Sequence, residues 1–532
     1  MNQQFKEREI AEKAKALGLG FVDLRSIAVN ADVLEAISKQ DSLAGQIVPF
    51  ALFSNKLRVA LVDPANANLP GIFQKLEASN FEIEKNLCSP ESLQNIQKLY
   101  QSELHHEKKE FIAATPEKEI ENISGEIESI KALSEKLKQV STQEGLNFLH
   151  EAILKTSASD LHFEPKKDSC RVRARIDGVL VDFFSLPSKT AQDLVRQIKF
   201  NAKLKFNIAN IPQDGKYSFA TNVGRIDVRV ATLPTCFGEG LVARFLDPAK
   251  GKLSLEDLGF SRRALELFQN ALHAKSGLIL VTGATGSGKT TTLQTALAEI
   301  NRPEKKVITL ENPIELQVPG ILQCQINESV GFDFGDGVRA ILRQDPNIVL
   351  VGEIRDQKAA QSALQASLTG HLVLSTLHTN SAAAAIPRLL NMGIEPFVLA
   401  PALRCVVTQT LVRKVCKKCG QQVVPSQEQK TEISKTLALL ASRGFEFQMP
   451  ERIFQEKGCP ACSNTGFRGQ TAIGEVLVPS VEIRKIIKRD VRAQEIEEVA
   501  KSLGMRTSWE ESVLKVVKGE TTFSEILRVA GN

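Results

Sequence analysis

The chain of 532 residues is 42% hydrophobic and 24% charged, an ordinary globular composition in a length that calls for three or four domains. Lys and Arg total 67 against 62 Asp and Glu, leaving +5, too small an excess to imply nucleic acid or acidic lipid as partner. No run of 18 uncharged apolar residues occurs and residues 1–9 open no secretory signal, which points to the cytoplasm, with any membrane association made through a partner.

Residues 1–104 read as a small α/β unit. Ala11 to Leu17 has helical character and stops at Gly18 and Gly20. Ile47 to Leu52 and Leu57 to Val62 read as strands around a turn at 54–56, closed by Asp63-Pro64. Residues 105–140 are rich in Glu, Lys, Ser and Ile and predict an exposed, partly helical linker. The next unit, 141–250, predicts an amphipathic helix over 144–156 and a strand from Cys170 to Ile176 turning at Asp177-Gly178. A further strand with period-2 alternation runs from Arg225 to Ala231. From 251 to 410, alternating strands and helices predict a largely parallel sheet. A cysteine-bearing element over 411–475 and a helical region over 476–532, with helices near 492–503 and 522–529, complete the chain. The fold class is therefore α/β and multidomain.

The central unit carries the chemistry. Gly283-Ala284-Thr285-Gly286-Ser287-Gly288-Lys289-Thr290 follows the apolar run Leu278 to Val281 and leads through Thr291 into a helix. That is a phosphate-binding loop in its strand–loop–helix context. Glycines let backbone N–H groups curl round a phosphate, and the helix N-terminus adds partial positive charge. Lys289 reaches the β and γ phosphates, and the Thr290 hydroxyl suits Mg²⁺. The expected ligand is a nucleoside triphosphate.

Hydrolysis needs further groups. Ile348 to Val351 is an apolar strand that ends in Gly352-Glu353, so Glu353 can act on Mg²⁺ through water or polarise the attacking water. Glu311 and Glu315 follow the strand-like Val307-Ile308, at the end of a strand where α/β sheets bind ligands. His378 also follows a strand and can sense the γ-phosphate; taken alone, the two acids fit turn caps equally well and the histidine fits a structural role better. Cys416-x-x-Cys419 and Cys459-x-x-Cys462 can close a tetrahedral Zn²⁺ shell, leaving no position for water and hence a structural site. Two reduced buried pairs or a redox pair are the alternatives. The remaining Cys88, Cys170, Cys236, Cys324 and Cys405 lack ligand spacing and read as core residues.

Together these segments resemble the secretion ATPase superfamily, and within it the traffic ATPases of type IV pilus assembly and type II secretion. The resemblance rests on the phosphate loop, Glu311–Glu315, Arg339 to Pro346, Gly352 to Asp356 and His371 to Asn380. It extends upstream through Ser157 to Pro165, Arg173 to Gly178, Pro212 to Gly215, Arg225 to Arg229 and Thr232 to Thr235. It implies a RecA-like ATPase domain preceded by an α+β (PAS-like) domain and a small N-terminal α/β domain that docks on a membrane-anchored assembly partner. It also implies a homohexameric ring driven by ATP and Mg²⁺, an inner-membrane platform protein as recipient of the motion, and Arg225 and Arg229 as arginine fingers. A guanidinium, planar and always charged, suits that task. The cysteine element, with its Zn²⁺, and the N-terminal unit favour assembly over retraction. The family's Glu-Asp-Pro reads Glu311-Asn312-Pro313 here, which removes one charge. Two other classes stay open: a nucleic-acid motor, disfavoured by one Trp, two Tyr and near-neutral charge, and a non-hydrolysing nucleotide-gated scaffold.

Overall fold

The computed structural model describes residues 10–22, 24, 31–34, 36–53, 56–78, 81–97, 142–221, 224–246 and 253–530. The linker expected over 105–140 and the turn at 54–55 lie outside the described residues, as do residues 1–9.

In the N-terminal unit, strands β1 (Gly20–Phe21), β2 (Ile47–Phe53), β3 (Lys56–Leu61) and β4 (Glu82–Leu87) form a sheet in the order β1-β4-β3-β2. The first helix covers 10–16, and Gly18 turns the chain at φ 68°, a backbone conformation that favours glycine. The sheet is covered on both faces, since Leu57, Val59 and Leu61 enter one cluster and Val48, Phe50 and Ala60 another.

The second unit is an antiparallel sheet of β5 (Asp160–Pro165), β6 (Ser169–Ile176), β7 (Val179–Pro187), β8 (Gln213–Thr221), β9 (Gly224–Thr235) and β10 (Gly238–Leu246), ordered β7-β6-β5-β10-β9-β8. Helices Thr142–Thr156 and Ser188–Asn201 share one apolar core with it. Alternation sorts its two faces. Cys170, Val172, Ala174 and Ile176 of β6, with Ile226, Val228 and Val230 of β9, point into that core. Their neighbours Arg171, Arg173, Arg175, Arg225, Asp227 and Arg229 therefore face the other way. Asp160 gathers two guanidiniums, Arg175 of that set at 3.3 Å and Arg244 of β10 at 2.8 Å.

The third unit is a seven-stranded sheet of β11 (Gly277–Thr282), β12 (Val307–Glu311), β13 (Leu322–Gln325), β14 (Ile348–Val351), β15 (Leu372–Leu377), β16 (Leu403–Val415) and β19 (Phe467–Leu477). The order is β13-β12-β14-β15-β11-β16-β19, parallel except for the last pair. Central strands such as Gly277–Thr282 and Leu372–Leu377 are buried at every position, which is why they read as unbroken apolar runs. The sheet continues past residue 410, because β16 runs to Val415 and pairs with β19 from across the cysteine element. That element is thus an excursion between two adjacent strands. It contains the short pair β17 (Gln421–Val423) and β18 (Ile453–Gln455) and the helix Gln427–Ala441, whose Ser426 and Gln429 form a capping box. Ile433, Leu437 and Leu440 of that helix pack with Val513, Leu514 and Val516 of the helix Ser508–Val517. No helix among the described residues is long and apolar enough to cross a membrane.

Candidate functional site

The parallel strands all release their chain at one edge of the sheet. Register pairs Thr282 with Leu377 and Val351 with Ser375, so Gly283, Gly352 and His378 emerge side by side. Glu311, paired through Leu310 with Val351, closes the row. Ligands of α/β sheets bind at this carboxyl edge.

Strand β11 enters the phosphate loop at Gly283, and the helix Lys289–Ile300 leaves it with Gly288 as its N-cap, so no side chain caps its first N–H groups. Gly283 and Gly288 lie at φ 139° and 85°. A Cβ on Gly283 would meet the Gln409 carbonyl oxygen at 2.3 Å, and one on Gly288 the Gln409 amide nitrogen at 2.7 Å. Both positions therefore exclude a side chain on conformation and on space. Ala284, Thr285 and Gly286 form the exposed tip, Ser287 is buried, Thr290 is exposed and Thr291 half-buried. Ser287 Oγ is buried without a hydrogen-bond partner, and the helix N-terminus opens beside it. An orphaned hydroxyl and a cradle of N–H groups fit an anion. Lys289 folds back, donating from Nζ to the Gly283 and Ala284 carbonyls at 2.8 and 2.9 Å. Burial holds its pKa below the usual ammonium value, with the Glu353 carboxylate opposing that shift.

Glu353 is held at the end of β14. Gly352 N–H donates to the Leu310 carbonyl at 2.8 Å, Thr376 Oγ1 to the Gly352 carbonyl at 2.7 Å, and Ile354 N–H to the Thr376 carbonyl at 3.0 Å. One Glu353 oxygen pairs with Arg355 at 2.5 Å and the other stands 3.9 Å from His378 Nε2. Glu311 behaves differently: it is buried, and its Oε1 accepts from Thr309 Oγ1 at 2.7 Å and from Gln323 Nε2 at 2.9 Å. Asn312 and Glu315 are exposed beyond it. Arg229 reaches across from β9 and donates to the Ile314 carbonyl at 3.1 Å, which ties the second unit to the Glu311–Glu315 segment. Arg225 is largely exposed and stands 3.5 Å from Asp227. His371 is structural, its Nδ1 set 2.9 Å from the Ala366 carbonyl at a helix end.

The structure thus brings the phosphate loop, Glu353 and His378 together, with Arg229 on the adjoining segment and Arg225 outside. Gln409, Arg355 and Gln323 were not legible as site residues. Gln409 had one signal, an amide inside the otherwise apolar and threonine-bearing run Val406 to Val412.

The four cysteines of the two C-x-x-C pairs converge with all sulfurs within 4.8 Å. Separations of 3.9 Å for Cys416–Cys459, 3.8 Å for Cys419–Cys462 and 3.7 Å for Cys459–Cys462 match the edge of about 3.8 Å for a tetrahedron with Zn–S bonds of about 2.3 Å. Cys459 and Gly466 N–H donate to Cys462 Sγ at 3.2 and 3.3 Å, a setting that favours thiolate. Of the other five cysteines, Cys88, Cys170 and Cys405 are buried. Cys324, half-buried on the edge strand β13, packs against the core of the third unit, and the core reading fails only for Cys236, which is exposed at the β9–β10 turn.

Comparison with known proteins bears on the same regions. A family model described as "Type II/IV secretion system protein" matches residues 135–528. The type IV pilus assembly ATPase PilB of Thermus thermophilus is 37% identical over 487 residues, covering 90% of this chain and 52% of that protein. The chain therefore spans about half the length of that relative. Type II secretion system protein E of Xanthomonas campestris is 40% identical over 414 residues, 77% of this chain and 71% of its own. Among solved structures, the ATPase DotB of Legionella pneumophila has a TM-score of 0.52 at 22% identity, covering 73% of this chain and 95% of that one. It shares the fold.

Proposed function

The chain belongs to the type II/IV secretion system protein family, and on that premise we propose that it hydrolyses ATP to drive type IV pilus assembly at the inner face of a cytoplasmic membrane. One observation carries this reading. A phosphate loop with a buried, unpartnered hydroxyl shares the sheet edge with the Glu353 carboxylate, which stands 3.9 Å from His378.

The residues divide the work. Lys289 leaves the Gly283 and Ala284 carbonyls to meet phosphate oxygens, exchanging neutral acceptors for charged ones. The N–H groups of Gly286 to Thr291 would hold the phosphates, and the Thr290 hydroxyl would be a ligand for Mg²⁺. The cation, when bound, neutralises charge on the phosphate oxygens. Glu353 orients the attacking water and accepts its proton, with Arg355 holding the other oxygen and His378 beside the departing γ-phosphate. Glu311 braces β12 through Thr309 and Gln323, Arg229 holds the following segment from the second unit, and Glu315 and the solvent-exposed Arg225 would act on a neighbouring copy. Closing the six-subunit ring would bring such exposed groups to the site of the next protomer. Cys416, Cys419, Cys459 and Cys462 would hold a structural Zn²⁺, which cross-links the ends of the excursion. The ring would pass its motion to an inner-membrane platform protein, with residues 1–104 docking on a membrane-anchored partner. Type II secretion is the second reading, supported by the similarity to protein E.

The test is Glu353→Gln. ATP affinity should stay within a few-fold of wild type, while phosphate release falls by about 10²-fold or more. Unchanged turnover would remove Glu353 from the mechanism.

A further inference from the structure

We propose that Gln409 is the positioning residue that sets the shape of the phosphate loop. This inference rests on the ATPase reading and deepens it. Parallel pairing aligns Thr282 of β11 with Thr408 of β16, and their hydroxyls are 2.6 Å apart. The next residue, Gln409, therefore lies beside Gly283, where β11 gives way to the loop. Its side chain is 1% exposed, and both ends of its amide are used. Nε2 donates to the Ser287 carbonyl at 2.7 Å, and Oε1 accepts from Thr292 Oγ1 at 2.6 Å. One amide thus joins the last turn of the loop to the first turn of the helix that follows it.

The same residue shapes the loop from outside. Its carbonyl oxygen and its amide nitrogen occupy the spaces that a Cβ on Gly283 or Gly288 would need. Fixing the Ser287 carbonyl toward Gln409 turns the peptide between Ser287 and Gly288 so that its N–H faces away from that strand. A buried amide satisfied at both ends holds its partners to one geometry, because any rotation leaves a buried polar group unpaired. Thr282, Thr408, Gln409 and Thr292 thus form a hydroxyl–amide seam behind the phosphates. Gln409 touches no nucleotide itself and acts through the N–H groups that do.

The consequence is kinetic. Loss of the amide loosens the cradle before nucleotide arrives, so ATP affinity suffers more than the chemical step. The experiment measures steady-state phosphate release against ATP concentration for the full-length protein, with Gln409→Leu and Thr292→Val made singly and together. Bound metal and circular dichroism report on folding. The expected result is a KM for ATP raised about tenfold in Gln409→Leu, a smaller fall in kcat, and unchanged metal content. The double variant should be no worse than Gln409→Leu alone, since both changes break the same seam. A KM within twofold of wild type for Gln409→Leu, or single effects that multiply in the double variant, would overturn the proposal while leaving the ATPase reading intact. Should Gln409→Leu fail to fold, an unchanged KM in Thr292→Val overturns it equally. A wild-type protein that neither binds nor turns over ATP would sink the underlying reading as well.

Discussion

At the scale of single residues, the charges that matter most are buried ones whose partners come from far along the chain. Glu525, 1% exposed, accepts from Arg413 Nη2 at 2.6 Å, from Arg413 N–H at 3.0 Å and from Arg528 Nη2 at 2.7 Å. Arg413 also lies 3.9 Å over the Phe467 ring. Burial works against ionising Glu525, but the hydrogen bonds from Arg528 and Arg413 outweigh it and hold the carboxyl at about 2. A depressed acid gives stability that is complete above its unfolded value near 4.5 and is lost as pH falls toward 2. The difference corresponds to about 3 kcal/mol near neutral pH. Glu525→Gln should lose roughly that amount in urea unfolding at pH 7, while the gap in stability between pH 7 and pH 3 narrows. An unchanged pH 7 stability would show that solvent, not Glu525, satisfies Arg413. Nothing in the sequence couples residues 413 and 525, which are separated by more than a hundred positions. By contrast, Lys289 and Glu353 could be placed from their local patterns alone.

At the scale of elements, strand β16 carries unrelated tasks along one line. It pairs with β11 behind the phosphate loop, holds Gln409 beside Gly283, binds Glu525 through Arg413, and ends at Val415, next to Cys416. Its return partner β19 begins at Phe467, just after the second cysteine pair. The four cysteines therefore meet at the ends of an excursion whose helix packs on the C-terminal layer, where a bound zinc would cross-link them. Zinc in isolated peptides contributes on the order of 10 kcal/mol to folding. The purified protein should carry one zinc per chain, and Cys459→Ser should lose it and expose residues 416–466 to protease. Full protease resistance without metal would show that the apolar packing alone holds this element. Strands such as β11, β14 and β15 were legible because burial on both faces leaves an unbroken apolar run. The C-x-x-C pairs were legible because metal geometry fixes their spacing. The extent of β16 and its pairing with β19 were not, since ladder hydrogen bonds between segments about fifty residues apart leave no local pattern. A boundary drawn at residue 410 consequently cuts a continuous strand.

At the scale of the whole molecule, the sheet edge gathers groups from separate loops, while Arg229 from the second unit reaches the segment after Glu311. The Asp177 turn of that unit also touches the start of β19, accepting from Gly469 N–H at 2.8 Å and from Gln470 Nε2 at 3.1 Å. The second unit thus contacts the third at both the Glu311–Glu315 segment and the strand leaving the cysteine element. On the proposed ATPase reading, these two contacts are the route by which a change at the phosphates reaches the second unit. The decisive measurement is steady-state phosphate release by wild type and Lys289→Ala, with molecular mass determined on the same samples. ATP-dependent phosphate release should come from an assembly of about six chains and be abolished in Lys289→Ala while the fold and bound metal persist. ATP binding without turnover in every oligomeric state, or turnover that survives the loss of Lys289, would contradict the ATPase reading.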